Sequence, residues 1–178
     1  MIENETNKRY IVTLSIAGSD SSGGAGIQAD IKTMSALGCF AATAITSVTV
    51  QNTMGVSAVQ KIEPEIVAGQ IRAVIDDLQP SAIKIGMVND SETICAIAET
   101  LNDYDTLPPI IIDPVMVSTS GSRLMQQDAI ETFKKELMPM ATLLTPNIAE
   151  AEVLSGCPIE DICSIDSAAQ MILSQNCN

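Results

Sequence analysis

Short runs rich in Val, Ile and Thr alternate along this chain with stretches whose apolar residues recur every three to four positions. The runs at 10–16, 41–50, 56–62, 82–85, 109–112 and 142–144 predict strands. Helical spacing predicts helices over 25–37, 64–78, 91–101, 128–137 and 148–154, with another over 166–173. In the first of these Ile27, Ile31, Met34 and Leu37 share a face, and Gly38 closes it. Strand–helix alternation builds βαβ units, so the fold class is α/β, a mainly parallel sheet with helices on both faces. Ligands of such sheets sit beyond the carboxyl ends of the strands. The chemically distinctive segments 18–24, 51–53, 86–87, 113–121 and 145–147 all fall there.

The 178 residues suit one domain. Residues 1–9 are polar and mixed in charge, and read as a tail rather than a secretory signal. Hydrophobic residues make up 46% of the chain but aromatics only 2%, so the core must be aliphatic, as in a sheet between helices. The net charge of −13 argues against nucleic acid or an anionic membrane as partner; an acidic surface by itself confers solubility. No apolar run reaches membrane-spanning length. Five irregularly spaced Cys read as reduced thiols in a cytoplasmic protein, with no ligand spacing at Cys157 and Cys163. The absence of His removes Ser-His triads and most zinc sites.

Between the first strand and the first helix lies Gly18-Ser-Asp-Ser-Ser-Gly-Gly-Ala-Gly-Ile-Gln-Ala-Asp30. Glycines at such a junction bring backbone N–H groups close to a ligand, or simply make a tight turn. Residues 24–29 also fit a dinucleotide fingerprint, but the ribose-binding acid about 20 residues on is lacking. The Gly-Lys-Ser/Thr ending of a P-loop is absent too. Gln51 stands at a strand end, where a carboxamide offers a donor beside an acceptor, or forms a turn with Asn52. Lys84-Ile-Gly-Met87 ends another strand; Gly86 permits close approach, and Lys84 is either a ligand-facing group or a counter-charge for a carboxylate. Asp113, stiffened by Pro114, and Glu150, after Thr145-Pro-Asn147, are strand-end acids suited to Mg²⁺–phosphate work or to capping.

Taken together, residues 18–30, Thr43-Ala-Ile-Thr46, Gln51-Asn-Thr53, Lys84-Ile-Gly-Met87, Asp113-Pro-Val-Met116, Ser120-Gly121 and Thr145-Pro-Asn-Ile-Ala-Glu150 resemble the motifs of hydroxymethylpyrimidine/phosphomethylpyrimidine kinases, thiamine-pathway enzymes of the ribokinase-like superfamily. The resemblance runs from about Tyr10 to the end of the chain. It implies a ribokinase-like fold, ATP and Mg²⁺ as cofactors, and a pyrimidine alcohol as substrate, with a homodimer as the assembly it allows. It places the pyrimidine against Gly18, Asp30, Thr49, Gln51 and the Met87 backbone N–H, with Asp30 toward the hydroxymethyl group. Asp113, Thr145, Asn147 and Glu150 fall to the nucleotide, and Asp113 and Glu150 to the metal. Gln51 favours the pyrimidine over pyridoxine, the substrate of related kinases.

The resemblance also implies what lies beyond residue 178: a Lys-Gly-Gly-His segment and a glycine-rich anion hole carrying the Asp or Cys that activates the alcohol. On this reading residues 10–178 are a partial kinase domain, incomplete at the C-terminus, with the catalytic residue outside it. Residues 1–178 alone are then expected to bind and not turn over, and a non-catalytic pyrimidine-binding fragment is the alternative.

Overall fold

The computed structural model describes residues 10–116 and 125–175. The polar tail, Ser120-Gly121 and Cys177 lie outside them. The first apolar run becomes β1 (Val12–Asp20), buried from Leu14 to Gly18. After α1 (Gly26–Ala36) the chain forms β2 (Phe40–Asn52), parallel to β1, and returns antiparallel as β3 (Gly55–Lys61). α2 (Pro64–Leu78) carries it across to β4 (Ala82–Ile85), parallel to β1 on the other side. Then come α3 (Ser91–Asn102), β5 (Ile110–Ile112), α4 (Gln127–Glu136), a 3₁₀ turn (Met138–Met140) and the two-residue β6 (Leu143–Leu144). α5 (Ile148–Ser155) and α6 (Ile162–Ser174) pack on each other. The sheet order is β3-β2-β1-β4-β5-β6, and only the β2–β3 pairing is antiparallel.

The order of strands reverses direction at β1: the chain steps one way to β2, then the other way to β4, β5 and β6. Right-handed crossovers therefore put α1 on one face and α2, α3 and α4 on the other. The core between them is aliphatic, with Leu14, Ile16, Ile83, Ile85 and Ile112 shielded from solvent. α2 and α3 add Val67, Ile71, Ile94, Ile97 and Leu101 to it. The gap beyond the carboxyl ends of β1 and β4 is the switch point where such sheets hold ligands.

Two boundaries differ from the sequence expectation by four residues. β1 runs on to Asp20 instead of stopping at Ile16, because β2 continues beside it and pairs Asp20 with Thr49. The register shifts between Ala17 and Ser19, where Gly18 alone stands opposite Thr46 and Ser47, a bulge on β2. α6 begins at Ile162, four residues before the expected Asp166, because Asp161 and Ser164 form a capping box. β2 is 13 residues long against four in β4, so the β2–β3 hairpin overhangs the sheet. Beyond Thr49, the last residues of β2 pair only with β3, and Asn52 Oδ1 closes the turn on the N–H of Met54 at 2.8 Å. Among the described residues no helix is long and apolar enough to cross a membrane.

Candidate active site

Asp20 organises the glycine-rich loop. Its carboxylate accepts from the Ser22 N–H and hydroxyl at 2.8 Å, from Gly24 N at 2.9 Å and from Ala25 N at 2.8 Å. Gln28, from the first turns of α1, reaches back: its Oε1 accepts from Asp20 N at 2.8 Å and its Nε2 donates to Ser19 Oγ at 2.7 Å. Burial pushes the Asp20 carboxyl up, but the bonds from Ser22, Ala25 and Gly24 outweigh it and hold the group below its ordinary 3.8. Sequence reasoning passed over Asp20 and Gln28. An Asp followed two residues later by Ser is an Asx-turn pattern, which was the available signal.

The sign of that shift yields a prediction. A carboxyl held low in the folded state adds stability above its ordinary value, and loses it as pH falls through the folded value. Asp20→Asn also turns an amide N–H₂ on the N–H donors of the loop. It is expected to cost roughly 2–3 kcal/mol in urea unfolding at pH 7. The gap between variant and wild type should shrink as pH drops below about 4.

Beyond this loop the strand ends enclose a cavity of about 270 Å³. β1 contributes Ala17 to Asp20, α1 Gly26 and Asp30, and β2 Thr49 and Gln51. Lys84 and Met87 come from β4 and the segment after it, Asp113 and Val115 from the segment after β5. Six of the sequence-derived candidates thus line one cavity: Gly18, Asp30, Thr49, Gln51, Met87 and Asp113.

Each is held in a definite way. A Cβ on Gly18 would meet Met87 Cε and lie 2.9 Å from Ser47 Oγ, so a side chain there would have to push the Met87 thioether aside. Met87 is anchored through its carbonyl, which accepts from Thr46 Oγ1 at 2.8 Å. Thr49 Oγ1 lies 2.9 Å from Ser19 O and 3.1 Å from Gln51 Oε1. Ser21 brackets the Gln51 backbone, accepting from its N–H at 2.9 Å and donating to its carbonyl at 2.7 Å. The Gln51 backbone is therefore fixed by the loop after β1, and its side chain, with Oε1 beside Thr49, borders the cavity.

The charged residues form a chain across the switch point. Ser15 Oγ, fully buried in β1, donates to Asp30 Oδ2 at 2.6 Å. Lys84 Nζ donates to the same oxygen at 3.2 Å and stands 3.8 Å from Asp113 Oδ2. Lys84 thus has the counter-charge position that was one of its two readings. Gly86 makes room for it, since a Cβ there would lie 2.8 Å from Lys84 Nζ and 3.1 Å from Ala17 Cβ. Burial pushes the Asp113 carboxyl above its ordinary value; Lys84 opposes this and the Asp30 charge adds to it. Ser15 was missed in the sequence, where a hydroxyl inside the most buried strand was its only mark.

Thr145, Asn147 and Glu150 lie at the neighbouring strand end, outside this cavity lining. The Thr145 N–H donates to Ile112 O at 3.0 Å, tying that segment to β5. Asn147 caps α5, with its Oδ1 accepting from Glu150 N at 3.0 Å and Glu150 Oε2 accepting from Asn147 N at 2.9 Å. Glu150 Oε1 accepts from Met116 N at 3.4 Å. Burial raises the Glu150 carboxyl, against the hydrogen bonds from Asn147 and Met116, and the Asp113 charge raises it further.

Among the described residues no cluster of three or more His, Cys, Asp or Glu is placed to hold a metal ion. Mg²⁺ in phosphoryl-transfer sites needs less, one or two carboxylates completed by phosphates and water. Asp113 fits that requirement: its side chain is 41% exposed, and burial together with the Asp30 charge disfavours its ionised form in the absence of a further cation. Glu150 fits as nearby negative charge, its oxygens being occupied by the cap and by Met116.

Strand ends converging on one cavity from both sides of a switch point mark a small-molecule site, and solved structures narrow the class to the ribokinase-like kinases. A phosphomethylpyrimidine kinase from Clostridium difficile superposes with a TM-score of 0.87 at 46% identity, covering 94% of this chain and 72% of that one. A pyridoxal kinase from Staphylococcus aureus in complex with AMP-PCP gives 0.82 at 31% identity, covering 94% and 61%. The family model for phosphomethylpyrimidine kinase matches residues 20–178, and on this match the chain belongs to that family. A hydroxymethylpyrimidine/phosphomethylpyrimidine kinase from Rhizobium meliloti is 52% identical over 145 residues, which are 82% of this chain and 54% of the relative. The chain thus spans little more than half the length of that relative.

Proposed function

We propose that this protein is a cytoplasmic kinase of thiamine biosynthesis that transfers the γ-phosphoryl group of ATP to 4-amino-5-hydroxymethyl-2-methylpyrimidine and then to its monophosphate. The observation that carries this reading is the junction of Gln51, Asp30 and Asp113 on one cavity at the switch point. The aminopyrimidine edge presents an amino donor beside a ring-nitrogen acceptor, which pairs with the acceptor and donor of the Gln51 carboxamide. Gly18, Thr49 and Met87 shape the ring slot, and Asp30 takes the hydroxymethyl group. Asp113 faces the phosphate side, where it would hold Mg²⁺ through water, with Glu150 adding negative charge from behind. Thr145 and Asn147 border the nucleotide. Mg²⁺ would supply charge neutralisation between the phosphates; the protein's part is to align the alcohol and exclude water.

The test is ADP release by the full gene product with Mg-ATP and either hydroxymethylpyrimidine or pyridoxine. Preference for the pyrimidine is the expected result. Preference for pyridoxine, the class of substrate of the pyridoxal kinase neighbours, overturns the substrate. No turnover of either overturns the kinase reading.

Gln51→Glu sharpens the substrate claim. The carboxylate can only accept, so the ring nitrogen loses its donor. Pyrimidine affinity should fall by roughly 1–3 kcal/mol, about 5- to 150-fold in Kd by calorimetry. Unchanged affinity would take Gln51 out of the ring site.

A further inference from the structure

Among the described residues that line the cavity Lys84 is the only cation, against the three carboxylates Asp20, Asp30 and Asp113. Asp20 is satisfied by its own loop. The ammonium therefore answers to the other two acids. Both supports of Asp30, Lys84 Nζ and the buried Ser15 hydroxyl, arrive on Oδ2. Asp30 Oδ1 has no hydrogen-bond partner among the described residues and remains for a ligand. A carboxylate gripped on one oxygen by a charged and a neutral donor is oriented as well as neutralised. The backbone keeps the ammonium there, since any side chain at residue 86 would crowd it.

Building on the function proposed above, we infer that Lys84 is a positioning residue of the phosphoryl transfer: with Ser15 it holds Asp30 by Oδ2, so that Oδ1 faces the substrate alcohol. Without the ammonium, Asp30 and Asp113 confront each other across the cavity with no counter-charge, and repulsion turns Asp30 off its line. Lys84 thus acts on the alcohol through Asp30. A direct role on the nucleotide phosphates would act through ATP instead, and a purely structural role would leave kinetic constants alone.

These roles separate in steady-state kinetics of the full gene product. In Lys84→Met the KM for the alcohol should rise about 10- to 100-fold with a fall in kcat, and more than the KM for ATP, because Lys84 Nζ is nearer to Asp30 than to Asp113. In the cycle with Asp30→Asn, adding Lys84→Met should cost little more than Asp30→Asn alone, because the two act as one unit. Ser15→Ala removes the neutral support without changing charge. It covers the case in which Lys84→Met fails to fold, and it should raise the same KM by several-fold. Unchanged alcohol KM in the folded variants, a rise confined to ATP, or additive losses in the cycle would each overturn the assignment. The alcohol is hydroxymethylpyrimidine or, where wild type takes only pyridoxine, pyridoxine. That preference would overturn the substrate reading, while the cycle still judges Lys84.

Discussion

Gly26→Ala should lower the melting temperature by about 4–16 °C, the equivalent of roughly 2–4 kcal/mol in a domain of this size. Two causes add. Gly26 has φ of +55°, a left-handed conformation that costs an L-residue about 1 kcal/mol or more. Its new Cβ would also run into the carbonyl oxygen of Gly18 and lie 3.2 Å from Asp20 N. Those are backbone atoms of β1, and the β2 and β4 pairings keep them from yielding. The overpacking adds about 1–3 kcal/mol. Gly38 and Gly69 are the controls. Gly38 has φ of +81° and open space around it, so Gly38→Ala isolates the conformational cost. Gly69 lies inside α2 with open space, and Gly69→Ala should stabilise by about 0.5–1 kcal/mol. Scanning calorimetry of the three variants orders them. A Gly26→Ala no worse than Gly38→Ala would mean that β1 gives way.

Asp113→Asn in the full gene product should lower Mg²⁺-dependent turnover by on the order of 10²–10³-fold, the scale of losing one preorganised electrostatic group. Pyrimidine affinity without nucleotide should hold, because Lys84 and Ser15 still grip Asp30. The same variant should melt higher than wild type at pH 7. Burial and the Asp30 charge raise the Asp113 carboxyl despite Lys84, so the folded state binds its proton more tightly than the unfolded chain. Wild-type stability therefore falls as pH rises from the ordinary 3.8 through the folded value, and Asn removes that loss. The gain should vanish below about pH 4. Loss of pyrimidine affinity with Mg²⁺ dependence intact would instead put Asp113 on the substrate side.

Much of this was legible in the sequence, because the periods of apolar residues differ between strand and helix. The αβ order and the convergence of strand-end residues followed from that difference. What stayed hidden was relational. Nothing local in Val12–Asp20 tells that β2 will run on beside it and draw Gly18 to Asp20 into the strand. Asp20 looked like one more polar loop residue, although its charge is spent on the loop's own amides. Glu150 was legible as an acid of interest, but the cap that occupies its oxygens depends on where α5 begins. The cap at Asp161 lay five residues before the apolar period of α6 became visible.

The overhang of β2 past its neighbours has a consequence for hydrogen exchange. Residues Thr13 to Ile16 of β1 have strand partners on both sides inside the core and should open only with the whole domain. Beyond Thr49 in β2, the Gln51 N–H is held by Ser21 Oγ and the rest depend on the two-stranded hairpin, and such hairpins are weak by themselves. Gln51 sits on that segment, so one wall of the cavity is expected to exchange by local opening. A ligand spanning Gln51 and Asp30 would bind the wall to the rigid β1–β4 body. Its arrival would be read as slowed exchange at residues 50–58, with little change in β1.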